Sequence, residues 1–199
     1  LGALDTALRE FTKSLELYRA MGRKLEMGMA FNNLGRVYTL LELEREAHAN
    51  LDSALVLLTE LGSMRPLART HVNRGNLYLQ QGRAGQAVEA CSIANSIAEK
   101  SGLLQQRREC LQCLMLAYER LGEFSKAFAA QKIYIDVNDS LLNVNNGKEV
   151  TRLDVTRAFQ ERMLVDSLDN VRQRFDDQLA YEQQLGRERE QRNVFLFAG

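Results

Sequence analysis

Self-similarity at a step of 40 residues limits what this chain can fold into more than any other feature of it. Ala7, Ala47, Ala87 and Ala127 recur at that spacing, and so do Tyr38, Tyr78 and Tyr118. Gly35 and Gly75 keep the step, with Met115 in the third place. Two further registers carry glycine: Gly2, Gly82 and Gly122 in one, where Glu42 is the exception, and Gly22, Gly62 and Gly102 in the other. A fixed period of this length marks stacked units, none of which can bury its apolar face alone.

The units read as helix pairs. Pro66 is the single proline among 199 residues, so little else breaks a helical backbone. Leu, Ala, Glu, Gln and Arg dominate, residues that lose little on entering a helix. In each unit a first helix carries a small residue and then Tyr three later, as in Leu34-Gly35-Arg36-Val37-Tyr38. The small residue admits the neighbouring helix and the ring fills the space beside it. A turn follows, most plainly at Leu121-Gly122-Glu123. The second helix opens with Ala and a large apolar residue four later, Ala7 to Phe11 and Ala47 to Leu51, which share one face. Gly62 and Gly102 suit its end, where a left-handed residue is wanted. The expected architecture is an all-α array over 1–142. It comprises a partial repeat at 1–24, with an orphan second helix from about Leu4 to Met21, and full repeats at about 25–62, 65–102 and 104–142.

The stretch Asn32-Asn33-Leu34-Gly35-x-x-Tyr38, followed by Ala47, resembles the tetratricopeptide repeat (TPR) family. Its unit of 40, rather than the commoner length of about 34, is similar to the longer-repeat branch. That branch includes kinesin light chains, polarity scaffolds and bacterial peptide-sensing regulators. The resemblance implies an α-solenoid, a right-handed superhelix of helix pairs, whose first helices line a concave groove. It implies binding rather than chemistry.

On that expectation the groove residues are Asn32, Asn33 and Arg36 in the first full unit, and Arg69, Asn73 and Asn76 in the second. In the third they are Gln112, Cys113 and Leu116. Asn competes with the backbone for hydrogen bonds and is a poor mid-helix residue, so four of them in two helices point to a use. A side-chain amide both donates and accepts, which suits gripping an extended peptide backbone. The alternative is that these amides bond between adjacent helices. Glu109 and Cys113 fall where a chaperone-tail clamp would need basic residues, which disfavours that ligand.

The repeat pattern stops after Tyr134. From 143 to 193 the chain reads as one long charged helix, roughly 70 Å of it over 148–193 at 1.5 Å per residue. Leu164, Leu168, Val171, Phe175 and Leu179 form its apolar stripe, interrupted at Glu182. Such a stripe suits either a two-stranded coiled coil, hence a homodimer, or a single helix folded back on the array. Residues 194–199 then turn apolar, although a span needs about 20 such residues. The chain opens without methionine and stops inside this run, so it is expected to continue at both ends. This layout is similar to bacterial membrane-anchored regulators. There the repeats are an extracytoplasmic input region, and one span leads to a histidine kinase, nucleotide cyclase or DNA-binding output. Arg187, Arg189 and Arg192 before the run weigh against that topology, because positive charge favours the cytoplasmic side. The other reading is a soluble cytoplasmic scaffold that binds a partner peptide.

Lys and Arg number 26 and so do Asp and Glu, so the basic excess of a nucleic-acid binder is missing. Cys110 and Cys113 form a Cys-x-x-Cys pair, with Cys91 elsewhere and only His48 and His71 as imidazoles. Zinc needs about four ligands. Cys91 takes the core place of Phe11 and Leu51, and Cys110 that of Ala30 and Thr70. All three cysteines therefore read as small packing residues, and their odd count sits awkwardly with an oxidising compartment. The glycines punctuate helices rather than cradle phosphate. Neither a catalytic residue, nor a metal, nor a cofactor is expected; the expected partner is a protein or peptide.

Overall fold

The computed structural model describes residues 2–144, together with 157 and 172–174. Among these residues the chain is helical throughout apart from three-residue turns. The helices are α1 (Gly2–Ala20), α2 (Lys24–Leu40), α3 (Glu44–Glu60), α4 (Met64–Gln80), α5 (Ala84–Lys100) and α6 (Leu104–Arg120), followed by α7 over 124–144. Consecutive helices pack on one another, and α4 also packs on α2 and α6, as an all-α TPR-like solenoid requires.

The two glycine registers turn out to be one register at half the period. A left-handed residue stands every 20 residues: Gly22, Glu42, Gly62, Gly82, Gly102 and Gly122. At each, the same pair of backbone bonds ends the helix. Gly82 N–H donates to Leu79 C=O at 3.1 Å while Arg83 N–H donates to Tyr78 C=O at 2.8 Å. This Schellman arrangement satisfies carbonyls that the helix end would otherwise orphan. Glu42 adopts φ 60° despite its side chain, with Glu42 N–H to Thr39 C=O at 3.0 Å and Leu43 N–H to Tyr38 C=O at 2.9 Å. The turn therefore follows from the helix on either side of it, and glycine only makes it cheaper.

The small residue of each first helix marks the closest helix approach. A Cβ on Gly35 would lie 2.6 Å from Leu51 Cγ, so α2 and α3 can meet only because none is there. Beside them Tyr38 packs on Ala47, Leu51 and Leu77, which carries the contact into the next unit. Tyr78 does the same one repeat later and also receives the His48 ring at 5.6 Å. The array is closed at its end by α7, where Ala130 and Val137 pack with Leu111 and Ala117.

Contacts divide the chain into two units, Leu1–Asn143 and Val144–Gly199. In the second, residues 157 and 172–174 are helical. The stripe of Leu164, Leu168, Val171, Phe175 and Leu179 and the apolar run from Val194 lie outside the described residues. No helix among the described residues is long and apolar enough to cross a membrane.

Candidate functional site

The first helices of three consecutive pairs, α2, α4 and α6, line a cavity of about 800 Å³. All seven polar residues singled out for the groove border it: Asn32, Asn33, Arg36, Arg69, Asn73, Asn76 and Gln112. They meet because helix pairs stacked at a 40-residue step bring the same face of each first helix to the same wall.

Their surroundings differ. Asn32 and Asn73 are buried, and Asn73 Nδ2 donates to Asn32 Oδ1 at 2.8 Å. For these two amides the bond between adjacent helices, the alternative to a peptide grip, is the one formed. Asn76 is exposed and Asn33 half-buried, and both keep their amides at the cavity wall. Gln112 Nε2 donates to the Tyr134 hydroxyl at 3.3 Å, which ties α6 to α7. Arg36 and Arg69 are exposed and have no ion-pair or hydrogen-bond partner among the described residues. The α6 wall is acidic instead, lined by Glu109, which accepts from Gln105 at 3.1 Å, and by Glu119.

A second cavity of about 380 Å³ adjoins the first and shares Asn32, Asn33 and Arg69 with it. Its remaining lining includes Leu25, Met29, Met64, Arg65 and Pro66. Leu25, Met29 and Met64 are 39%, 44% and 47% exposed, so this is an open apolar recess rather than core. Reading the chain by repeat register passes over these residues, because they lie at the helix starts, outside the recurring small-residue-to-Tyr signature. The signal available was a pair of methionines and a leucine where a solvated helix start would carry polar groups.

The cavity floor holds a covalent link. Cys91 of α5 is disulfide-bonded to Cys113 of α6, with Cα atoms 6.2 Å apart, inside the range such a bond needs. The reading of all three cysteines as mere packing residues therefore fails for Cys91 and Cys113, which are bonded across 22 residues and two units, and holds only for Cys110. The two sulfurs occupy the space beside Gly75, where a Cβ would lie 2.8 Å from Cys113 Sγ and nearer still to Cys91 Sγ. Cys110 is buried and free, and burial, with help from the Glu109 carboxylate, pushes its thiol up to about 12. Among the described residues no three His, Cys, Asp or Glu side chains gather as metal ligands.

No family model matches the sequence. A curated relative, the Tonsoku-like protein of Drosophila melanogaster, is 27% identical over 129 residues. That match covers 63% of this chain but only 8% of the relative's length. Among solved structures, the chain is similar to BtubC (BKLC) from P. vanneervenii, with a TM-score of 0.62 and 20% identity over 70% of this chain and 58% of that one. It is also similar to the TPR domain of Arabidopsis FLU, with a TM-score of 0.54 and 18% identity, covering 60% of this chain and 98% of that domain. At these identities the likeness establishes the fold.

Proposed function

We propose that this chain is a protein-interaction module that holds an extended peptide in the groove across α2, α4 and α6. The observation that carries the reading is the shared cavity itself, lined by Asn33 from α2 and Asn76 from α4. Such groups bond to any peptide backbone, whatever its side chains. The experiment is a binding titration with a selected peptide, comparing the native chain with the Asn33→Ala/Asn76→Ala double variant. Binding should be lost at unchanged thermal stability; equal affinity in the variant would remove the groove assignment.

The finer reading places the module as the input and dimerisation region of a bacterial membrane-anchored signalling protein, with the repeats outside the cytoplasm. The layout of residues 143–199 supports it, and so does the Cys91–Cys113 disulfide, since such bonds persist in oxidising compartments. The competing reading is a soluble cytoplasmic scaffold; the arginines before Val194 weigh against repeats outside the cytoplasm. Sequencing the encoding gene past Gly199 separates them. A continued apolar span leading to an output domain supports the sensor, and a stop or a polar continuation supports the scaffold.

A further inference from the structure

We infer that the groove selects a peptide carrying an acidic residue beside a large apolar one, with the apolar side chain in the Met29–Met64 recess and the carboxylate on the arginines around it. This rests on the groove reading above and adds the chemistry of the ligand.

Several guanidinium groups of the array are already occupied. Arg74 pairs with Asp52 at 3.4 Å, Arg107 pairs with Glu99 at 2.6 Å, and Arg120 donates to the Leu79 carbonyl at 3.0 Å. Arg23 likewise pairs with Glu26. Arg19, Arg36, Arg45, Arg65, Arg69 and Arg108 have no such partner among the described residues, and of these Arg36, Arg65 and Arg69 border the two joined cavities. Because acidic and basic residues are equal in number over the whole chain, this is local separation rather than a general basic excess. Planar guanidinium groups suit carboxylates, which they can grip through two hydrogen bonds.

The apolar half of the ligand follows from the recess. Single exposed methionines are ordinary, but here Leu25, Met29, Met64 and Pro66 line one concavity. Methionine also adapts its shape to what it meets. Asn33 and Arg69 border both cavities, so a chain leaving the recess passes an amide and a guanidinium before it enters the larger groove. Beyond them, Glu109 and Glu119 on α6 repel further acid. The complementary sequence is therefore apolar and acidic at the α2–α4 end, and neutral or basic where it reaches α6.

The test is selection of random decapeptides displayed on phage against the full chain, repeated against the Arg36→Glu/Arg69→Glu variant. The expected result is enrichment of Asp or Glu next to Leu, Ile, Met or Phe. A synthetic peptide of that consensus should bind the variant at least about tenfold more weakly, because the two new carboxylates face the peptide's own. Its charge-reversed lysine analogue should prefer the variant. Peptides without acidic residues that still lose binding in the Asn33→Ala/Asn76→Ala variant would overturn this ligand chemistry and leave the groove standing. Peptides insensitive to every groove substitution, or no enrichment at all, would overturn both.

Discussion

The junctions on either side of α4 are built on the same register and closed in different ways. At the first, Gly35 meets Leu51, a side chain large enough to fill the space by itself. At the second, Gly75 meets Cys91, which is too small, and Cys113 completes the volume from the next unit. The position that supplies Cys113 supplies Asn73 one repeat earlier and Asn33 before that. Asn73 reaches sideways to Asn32 in α2, whereas Cys113 reaches back to α5. One side-chain position thus serves as a neutral hydrogen-bonded tie, a covalent tie, or an open groove amide. The helix frame sets where that side chain sits, and its chemistry sets which helices it joins.

Substitutions can break each closure separately. The largest effect expected is at the first junction, where Leu51 is fully buried: Leu51→Ala should cost about 3 kcal/mol in chemical denaturation, from lost transfer energy and the cavity left behind. If the cost stays under roughly 1 kcal/mol, the first junction is not closed by that side chain. At the second junction, mild reduction or Cys113→Ser should lower stability by about 2 to 3 kcal/mol, because the bond constrains a 22-residue loop of the unfolded chain. An unchanged melting curve with and without reductant would show that the covalent tie contributes nothing in solution.

The hydrogen-bonded tie should be weaker. Asn73→Ala strands the buried Asn32 amide and should cost about 2 kcal/mol, while Asn32→Leu with Asn73→Leu should recover most of it. Failure of the double variant to recover would mean that packing, not amide pairing, sets that contact. Smaller still is the gain expected from Glu42→Gly, about 1 kcal/mol, because among the described residues Glu42 is the one left-handed turn residue with a side chain. Near neutral pH the smallest effect is that of Cys110. Its thiol, ordinarily 9.0, is held up to about 12 in the fold, so its contribution is fully present below about pH 9. That contribution is lost as pH rises from there toward 12, which an alkaline melting series with and without Cys110→Ala would resolve.

The repeat was legible because Ala47, Ala87 and Tyr78 report packing that only one geometry satisfies. Its true half-period was hidden by Glu42, a residue whose chemistry says nothing of a left-handed turn. The groove was legible because polar residues at inward helix positions stand out against an apolar pattern. Which amides are free was not, since Asn32 and Asn33 are adjacent in sequence and differ only in what lies across from them. The disulfide escaped because repeat register puts Cys91 at the core place of Phe11 and Leu51, where packing alone accounts for a small apolar residue. Cys91 declares itself only once Gly75 is seen to need small, sulfur-sized neighbours.

The link between Cys91 and Cys113 also decides how the array responds to being pulled. A force applied to its two ends can unravel helices and lengthen the chain by about 3.4 Å for each residue released. The 22 residues spanned by the bond are withheld from that extension, roughly 75 Å of slack. Under load the α1–α4 end yields its full length, while the stretch from α5 into α6 behaves as a stop until a reductant opens it.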